Sequence, residues 1–133
     1  MIVADTNLMV YLFVRGARTT EAEAVLVKDR SWAAPWLWRS EFRNALVGLV
    51  RREDLLLDEA VQLVRQAERW MRDREYVAES SRIMTFAAES GCSVYDCEFV
   101  ATAFELAVPL ITADRQVLKA FPSVAVHPAV FAT

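Results

Sequence analysis

The first residues of the chain constrain its fold more than any other stretch. A continuous apolar run, Ile2–Ala4, leads directly into Asp5 and the cap-type residues Thr6 and Asn7. An apolar helical pattern begins immediately afterwards, at Leu8. This order predicts a buried parallel strand, with Asp5 in the turn between that strand and a helix. The alternative is that Asp5 only orders the turn, while Thr6 or Asn7 caps the helix.

The same order of strand, acid and helix recurs near the end of the chain. Residues 108–112 form an apolar run that ends at Thr112, and Asp114 stands where the next helical pattern begins. Ligands of open α/β sheets bind beyond the carboxyl ends of the strands. We therefore expect Asp5 and Asp114 to lie at one edge of a parallel sheet.

A third acid, Glu41, falls on a predicted helix over residues 36–52. It shares its angular position with Ala45 and Leu49, which belong to the apolar side of that helix. A carboxylate on the inward edge of a helix is costly unless a cation or hydrogen bonds compensate it. Glu41 therefore needs a partner, and a simple pair with an arginine or with the helix dipole is the structural alternative.

A fourth acid, Asp96, opens a predicted helix over residues 93–107. Ser93 at the cap and an acid three residues later resemble a capping box. Asp96 also heads the apolar stripe that includes Phe99, so its side chain is expected to face the sheet. Asp96 can therefore both cap the helix and belong to a functional site. Glu98 is predicted to be solvent-facing or peripheral.

The remaining elements follow from the alternation of apolar runs and helical patterns. Strands are predicted at 31–34, 75–79 and 123–126, and helices at 19–28, 58–71 and 80–90, with Asp58 as a cap and Gly91 as a stop. The lone histidine, His127, is expected to be a packing or surface residue. This alternation predicts a three-layer α/β sandwich with a mainly parallel sheet, formed by a single domain over residues 1–133.

Composition limits the classes of function. The formal charge of −3 argues against a generally basic nucleic-acid-binding surface. Thirteen of the 15 cations are arginine. Arginine suits bidentate contacts with phosphate, but it is equally ordinary on protein surfaces. No signal peptide or membrane span is visible, so a cytoplasmic protein is expected. Cys92 and Cys97 are interpreted as reduced packing residues.

Physical chemistry limits what a cluster of these acids can do. Four carboxylates at close range raise one another's pKa and need a compensating charge. A hard cation such as Mg²⁺ or Mn²⁺ prefers oxygen ligands and shares its shell with phosphate oxygens. Since the site offers no Cys or Lys nucleophile and the chain has no Gly-rich phosphate loop, metal-activated water is the expected attacking group.

Four motifs in this order resemble the PIN-domain ribonucleases, and the short chain resembles the VapC-like toxins within them. They are residues 5–7, Glu41 in its amphipathic helix, residues 93–96 and residues 112–114. The resemblance implies a parallel five-stranded sheet and a site for one or two Mg²⁺ or Mn²⁺ ions. The acidic quartet of that site would be Asp5, Glu41, Asp96 and Asp114, with Asn7 and Thr112 as polar neighbours.

The resemblance also implies a substrate and partners. It predicts hydrolysis of RNA that leaves a 5′-phosphate and a 3′-hydroxyl, a homodimer, and a cognate antitoxin that covers an apolar groove. Arg115 is the candidate contact to substrate phosphate. Some relatives carry a further acid where this chain has Gln116. Trp36, Trp38 and Trp70 are either partner-surface residues or ordinary core.

Two other phosphate-handling folds fit the sequence poorly. A phosphoacceptor receiver domain needs adjacent acids after its first strand and a late lysine, and neither is visible. A haloacid-dehalogenase-like phosphatase needs a second aspartate where Asn7 stands. The alternative that stays open is a catalytically weak PIN-like module that binds RNA or protein and keeps a structural metal site.

Overall fold

The structure is a computed structural model that describes residues 1–133. Five strands form one sheet in the order β3-β2-β1-β4-β5, and every neighbouring pair is parallel. The elements in chain order are β1 (Ile2–Ala4), α1 (Thr6–Phe13), α2 (Thr19–Lys28), β2 (Trp32–Pro35), α3 (Leu37–Arg51), α4 (Leu57–Met71), β3 (Glu75–Tyr76), α5 (Ser80–Ser90), α6 (Val94–Leu106), β4 (Leu110–Ile111), α7 (Arg115–Ala120), β5 (Ala125–Val126) and α8 (Pro128–Phe131).

The first strand is the centre of the sheet. Val3 of β1 lies opposite Ala33 of β2 on one side and Leu110 of β4 on the other. All three residues of β1 are buried, as expected for a strand covered by helices on both faces. The predicted α/β sandwich with a five-stranded parallel sheet is therefore confirmed.

Two helices supply much of the core around this sheet. Trp38, Phe42 and Leu46 repeat at helical spacing along the buried side of α3. Helix α6 contacts β1 and β2 through a side that includes Val100 and Ala103. Both helices therefore have their first turns near the carboxyl edge of the sheet, where the acids of the sequence motifs lie.

Several predicted element boundaries change in the structure. Helix α4 begins at Leu57, and the Glu59 carboxylate accepts a hydrogen bond from the backbone N–H of Leu56, so Asp58 is not the cap. The strand predicted over 75–79 is only two residues long. Gly91 ends α5 in the left-handed conformation, as predicted, because a positive φ carries no side-chain penalty at glycine.

The tryptophans divide between core and surface. Trp38 is fully buried, and Trp70 packs edge-on against Trp32 with ring centroids 5.4 Å apart. Trp36 is half exposed, and the Arg39 guanidinium lies 4.6 Å from its ring centroid. Core packing thus uses two of the three tryptophans that the sequence singled out. None of the helices has the length and apolar character that a membrane crossing requires.

Candidate active site

Asp5 lies at the carboxyl end of the central strand. Its Oδ1 accepts a hydrogen bond from the backbone N–H of Leu8 at 2.8 Å, so Asp5 itself caps α1. The alternative prediction, that Thr6 or Asn7 caps this helix, is wrong. Capping uses only one carboxylate oxygen, and the other is directed to a different element.

Thr112 links the two acids that follow strands. Its buried hydroxyl donates a hydrogen bond to Oδ2 of Asp5 at 2.6 Å and accepts one from the backbone N–H of Asp114 at 3.1 Å. Asp114 caps α7 by accepting from the backbone N–H of Val117. The two strand-end acids therefore lie at the same edge of the sheet, held by one side chain.

Glu41 is held by the helix that Asp5 begins. Its Oε1 accepts a hydrogen bond at 2.6 Å from the hydroxyl of Thr6, which is buried. No arginine pairs with Glu41, so the predicted structural alternative of an ion pair is not what the structure contains. A hydroxyl satisfies one carboxylate oxygen and leaves the negative charge uncompensated.

Asp96 lies in the first turn of α6. The Ser93 hydroxyl accepts a hydrogen bond from the backbone N–H of Asp96 at 3.0 Å, which confirms Ser93 as the cap. Because Ser93 satisfies the end of the helix, the carboxylate of Asp96 is not used as a cap.

These four carboxylates line one open cavity of about 280 Å³, which we call the acidic cavity. They come from the end of β1, from α3, from the start of α6 and from the turn before α7. Asn7 and Thr112 also line it, and no lysine, arginine or histidine does. The structure thus brings all six residues proposed from the sequence as acids or polar neighbours to one surface.

The pKa values of three of these acids, Asp5, Glu41 and Asp96, are raised, as expected for buried carboxylates without a cation. Burial raises the pKa of Asp5 to about 6, against the hydrogen bonds from Thr112 and Leu8, and the charges of Asp114 and Glu41 raise it further. Burial, followed by the neighbouring charges of Asp96 and Glu98, raises the pKa of Glu41. Burial also raises the pKa of Asp96, and the charge of Asp114 adds to this effect. A bound cation would reverse these shifts.

Three residues differ from their expected place or were not singled out. Glu98 is half-buried and near enough for its charge to raise the pKa of Glu41, so it is less peripheral than predicted. Asn44 lines the acidic cavity, and its spacing of three residues from Glu41 on a helix is the signal that indicates it. Arg115 is exposed at the start of α7 and does not line the cavity.

The donor set suits a hard divalent cation. In the structure no three of the acids are grouped tightly enough to hold a metal ion by themselves. Mg²⁺ is usually held by one or two carboxylates and keeps several waters, so a dispersed set of acids around an open cavity fits its coordination. The absence of any cationic side chain in the lining leaves the charge for such an ion to balance.

A parallel α/β sheet with an acidic cavity at its carboxyl edge defines the class of protein. The sequence profile of the PIN domain matches residues 2–124, and the chain belongs to the PIN domain family. Ribonuclease VapC3 of Pyrobaculum aerophilum is 26% identical over 125 residues, which is 92% of this chain and 95% of that protein. The VapC-like resemblance that the sequence motifs indicate is therefore confirmed.

A solved structure has the same fold. A chain of a toxin–antitoxin complex from Klebsiella pneumoniae superposes with a TM-score of 0.68 at 22% identity, covering 96% of this chain and 98% of that one. This match spans nearly the whole of both chains, so the likeness is one of the entire fold.

Proposed function

We propose that the protein is a metal-dependent endoribonuclease and the toxin of a toxin–antitoxin pair. The observation that carries the proposal is that four carboxylates from separate elements line one cavity without a cation among them. Its similarity to a protein named as a ribonuclease, and to a chain of a toxin–antitoxin complex, supports the choice of RNA and of the toxin role. A cytoplasmic location, where cellular RNA is translated, is part of the same proposal.

The cofactor of this proposal is Mg²⁺, with Mn²⁺ able to replace it. When bound, such an ion lowers the pKa of a water, neutralises the non-bridging phosphate oxygens and orients in-line attack on phosphorus. Asp5 and Asp96 would hold the ion directly, and Glu41 and Asp114 would complete its shell, directly or through water.

The protein's own contribution is to keep these oxygens in place. The Thr112 hydroxyl and the Leu8 backbone N–H fix both oxygens of Asp5, and the Thr6 hydroxyl fixes one oxygen of Glu41. Each donor leaves lone pairs of the carboxylate free. Preorganised ligands of this kind need no rearrangement when the phosphate of the substrate arrives.

A cleavage assay tests the proposal. The purified protein in excess over a labelled single-stranded RNA should cleave it when Mg²⁺ or Mn²⁺ is present, and EDTA should abolish cleavage. The products should carry a 5′-phosphate and a 3′-hydroxyl. Cleavage that continues in EDTA, or that leaves a cyclic phosphate, would contradict metal-assisted hydrolysis by water.

The alternative is a catalytically weak module that binds RNA or protein around a structural metal. It is favoured by one observation: no three acids are grouped tightly enough to hold an ion by themselves, and a loosely held ion would make cleavage weak. RNA binding without cleavage in either metal would support this alternative over the nuclease.

The proposed antitoxin is a protein that covers apolar side chains of α3 and α4. Val47 on α3 and Leu56, Leu57 and Val61 at the start of α4 expose 37%, 71%, 60% and 38% of their surfaces. Exposed apolar side chains grouped in this way are typical of protein interfaces. We also propose a homodimer. Light scattering during size exclusion should give twice the monomer mass, and a strict monomer, alone or with a co-expressed antitoxin, would contradict it.

A further inference from the structure

A second cavity of about 170 Å³ adjoins the acidic cavity. The two share Asp5, Asn7 and Asp114 as lining residues, so they meet along the carboxyl edge of the sheet. The rest of its lining includes Tyr11 of α1, Arg18 just before α2, and Glu21 of α2. A chain molecule in the acidic cavity therefore has an adjoining surface on which to continue.

Arg18 is the only cationic side chain that lines either cavity. Its position is fixed by the neighbouring Thr19, whose hydroxyl donates to the backbone oxygen of Tyr11 at 2.8 Å and accepts from the backbone N–H of Gly16 at 2.9 Å. These bonds tie the start of α2 to the end of α1. The guanidinium lies 4.7 Å from the centroid of the Tyr11 ring, a cation–π distance.

The guanidinium keeps donors available. Nη1 donates to the Tyr11 hydroxyl at 3.2 Å, and Nη2 donates to the two carboxylate oxygens of Glu21 at 2.9 and 3.1 Å. Nε makes no hydrogen bond within the protein, and 41% of the side chain is exposed. An arginine has five N–H donors in a planar fork that matches phosphate. Glu21 therefore orients and balances a cation that can still bind an anion.

We propose that the second cavity binds the nucleotide next to the scissile phosphodiester of a single-stranded RNA, with Arg18 contacting the phosphate of that nucleotide. This inference rests on the proposed nuclease function. A flanking phosphate beside the acids is repelled by them, so productive binding needs a cation one nucleotide away. Arg18 is the only side chain in the two linings that supplies it.

The chain contains a matched pair that serves as a control. Arg82 donates to Glu105 at 2.9 Å, lies 4.9 Å from the ring centroid of Phe104, and exposes 34% of its side chain. Like Arg18, Arg82 thus combines a guanidinium with a carboxylate and an aromatic ring, but these residues on α5 and α6 line neither cavity. A difference between the two arginines therefore reports position rather than general charge.

The test compares R18Q with R82Q in single-turnover cleavage of a single-stranded RNA of about ten nucleotides, with enzyme concentration varied. R18Q should raise the enzyme concentration for half-maximal rate about tenfold, while the maximal rate falls less than about twofold. R82Q should change neither. Equal effects of the two variants, or an R18Q effect confined to the maximal rate, would overturn the proposal.

The paired glutamates give the opposite expectation. E21Q frees the Arg18 guanidinium and should tighten RNA binding about threefold, whereas E105Q should not change it. Anisotropy of a labelled RNA in a D96N background measures binding without turnover. R18Q should reduce the slope of log affinity against log salt by about 0.7 relative to R82Q, the value for one phosphate contact with a single strand. Equal slopes would contradict the contact.

Two further readouts separate this inference from the function on which it rests. R18K keeps the charge but loses the planar fork, and it should fall between wild type and R18Q, which also guards against misfolding of R18Q. Wild-type protein that neither binds nor cleaves RNA overturns the nuclease proposal and this inference together. Wild-type cleavage with equal binding by R18Q and R82Q overturns this inference alone.

Discussion

Two groups of partly buried acids in this protein differ in what surrounds their charge. The acids of one group are paired with arginine, whereas those of the acidic cavity are not. The ion-pair cluster, formed by Trp38, Arg39, Arg43, Glu68 and Glu75, joins α3, α4 and β3. The Arg39 guanidinium donates to both oxygens of Glu75, at 2.6 and 2.8 Å, and Trp38 donates to one of them at 2.8 Å. Arg39 and Arg43 both reach Glu68, at 3.2 and 3.1 Å.

The pKa values of Glu75 and Asp5 shift in opposite directions. Burial alone would raise the pKa of Glu75, but hydrogen bonds from Arg39 and Trp38 and the Arg39 charge lower it. In the acidic cavity burial also dominates, and the neighbouring acids add to it, so the pKa of Asp5 rises to about 6. Glu75 has its cation within the fold, whereas Asp5 has only hydroxyl and amide donors.

This difference separates structural acids from candidate ligands. An acid that serves the fold alone is cheapest when an arginine pairs with it. An acid that must receive a cation from solution has to be left unpaired, and the fold carries the cost of the repulsion. Four acids without a cation in one cavity therefore indicate a binding function more strongly than the number of acids alone.

The largest predicted effect separates the two groups by activity. D5N or D96N removes a ligand charge from the acidic cavity and should lower RNA cleavage about a thousandfold or more, with the fold retained. E75Q, in the ion-pair cluster, should keep the rate within about twofold. Single-turnover cleavage with circular dichroism as a folding check measures both. Cleavage by D5N and D96N at the wild-type rate would end the nuclease assignment.

The ion-pair cluster, which should matter little for activity, should matter more for stability. R39M leaves the carboxylate of Glu75, whose side chain is only 4% exposed, without its cation, and should lower the free energy of unfolding by about 3 kcal/mol. R52M removes an exposed pair with Asp54 and should change it by less than about 0.5 kcal/mol. Urea unfolding measures both variants. Equal stability of R39M and wild type would mean that the cluster is not a structural device.

The pH dependence of stability should also differ in direction. Because the folded-state pKa of Asp5 is raised from 3.8 to about 6, metal-free protein should lose stability as pH rises through that interval. D5N should remove about 2 kcal/mol of this loss between pH 4 and 7, allowing for partial solvent contact. Identical pH profiles of wild type and D5N in EDTA would contradict the burial of an uncompensated Asp5.

Glu75 should affect the acid end of the dependence of stability on pH. Its folded-state pKa is lowered, so the stability that it contributes is present above its unfolded value of 4.5 and is lost as pH falls below it. E75Q should therefore flatten the acid limb and leave the limb between pH 5 and 7 unchanged. If E75Q changed the free energy of unfolding only between pH 5 and 7, this assignment of Glu75 would be contradicted.

The hydroxyl that joins two acids should have a smaller effect. T112V removes the hydrogen bond to Asp5 and the acceptor for the Asp114 backbone N–H, and should cost about 1 kcal/mol of stability. Cleavage should fall about tenfold because Asp5 loses its orientation. T112S keeps the hydroxyl and should stay within about twofold of wild type. Equal cleavage by T112V and T112S would show that this bridge does not position the site.

The smallest predicted effect concerns the exposed Arg115. It follows Asp114 at the start of α7 and lines neither cavity. R115Q should weaken RNA binding about twofold, through the loss of one solvent-screened charge. Anisotropy against R82Q as control measures this. A loss of tenfold or more would move the substrate contact from Arg18 to Arg115.

Local sequence patterns predicted the fold well. A strand followed by an acid and a helix is a short-range signal, and it placed Asp5 and Asp114 at the same edge of the sheet. Boundaries set by competing caps were harder. Asp58 looks like a cap, but Glu59 reaches back to the backbone of Leu56, and the helix begins earlier. Such competition is decided by less than the energy of one hydrogen bond.

The positions of the four acids were predictable from the sequence, but those of the residues around them were not. Asp5 and Asp114 follow strands, Asp96 lies in the first turn of a helix, and Glu41 lies on the inward edge of one. Arg18 and Glu98 gave no comparable signal, since their proximity to the acids depends on how α2 and α6 pack. The ion-pair cluster was equally hidden, because Arg39 and Glu75 are 36 residues apart and meet only when β3 pairs with β2.

The unpaired acids at the sheet edge should receive a cation from solution, whereas the paired acids should not. Loss of the free Mn²⁺ signal in electron paramagnetic resonance, titrated for wild type, D5N and E75Q, tests this expectation most directly. Wild type and E75Q should bind one or two Mn²⁺ ions equally well, and D5N should bind at least about tenfold more weakly. Binding by D5N as tight as wild type, or by none of the three proteins, would contradict it.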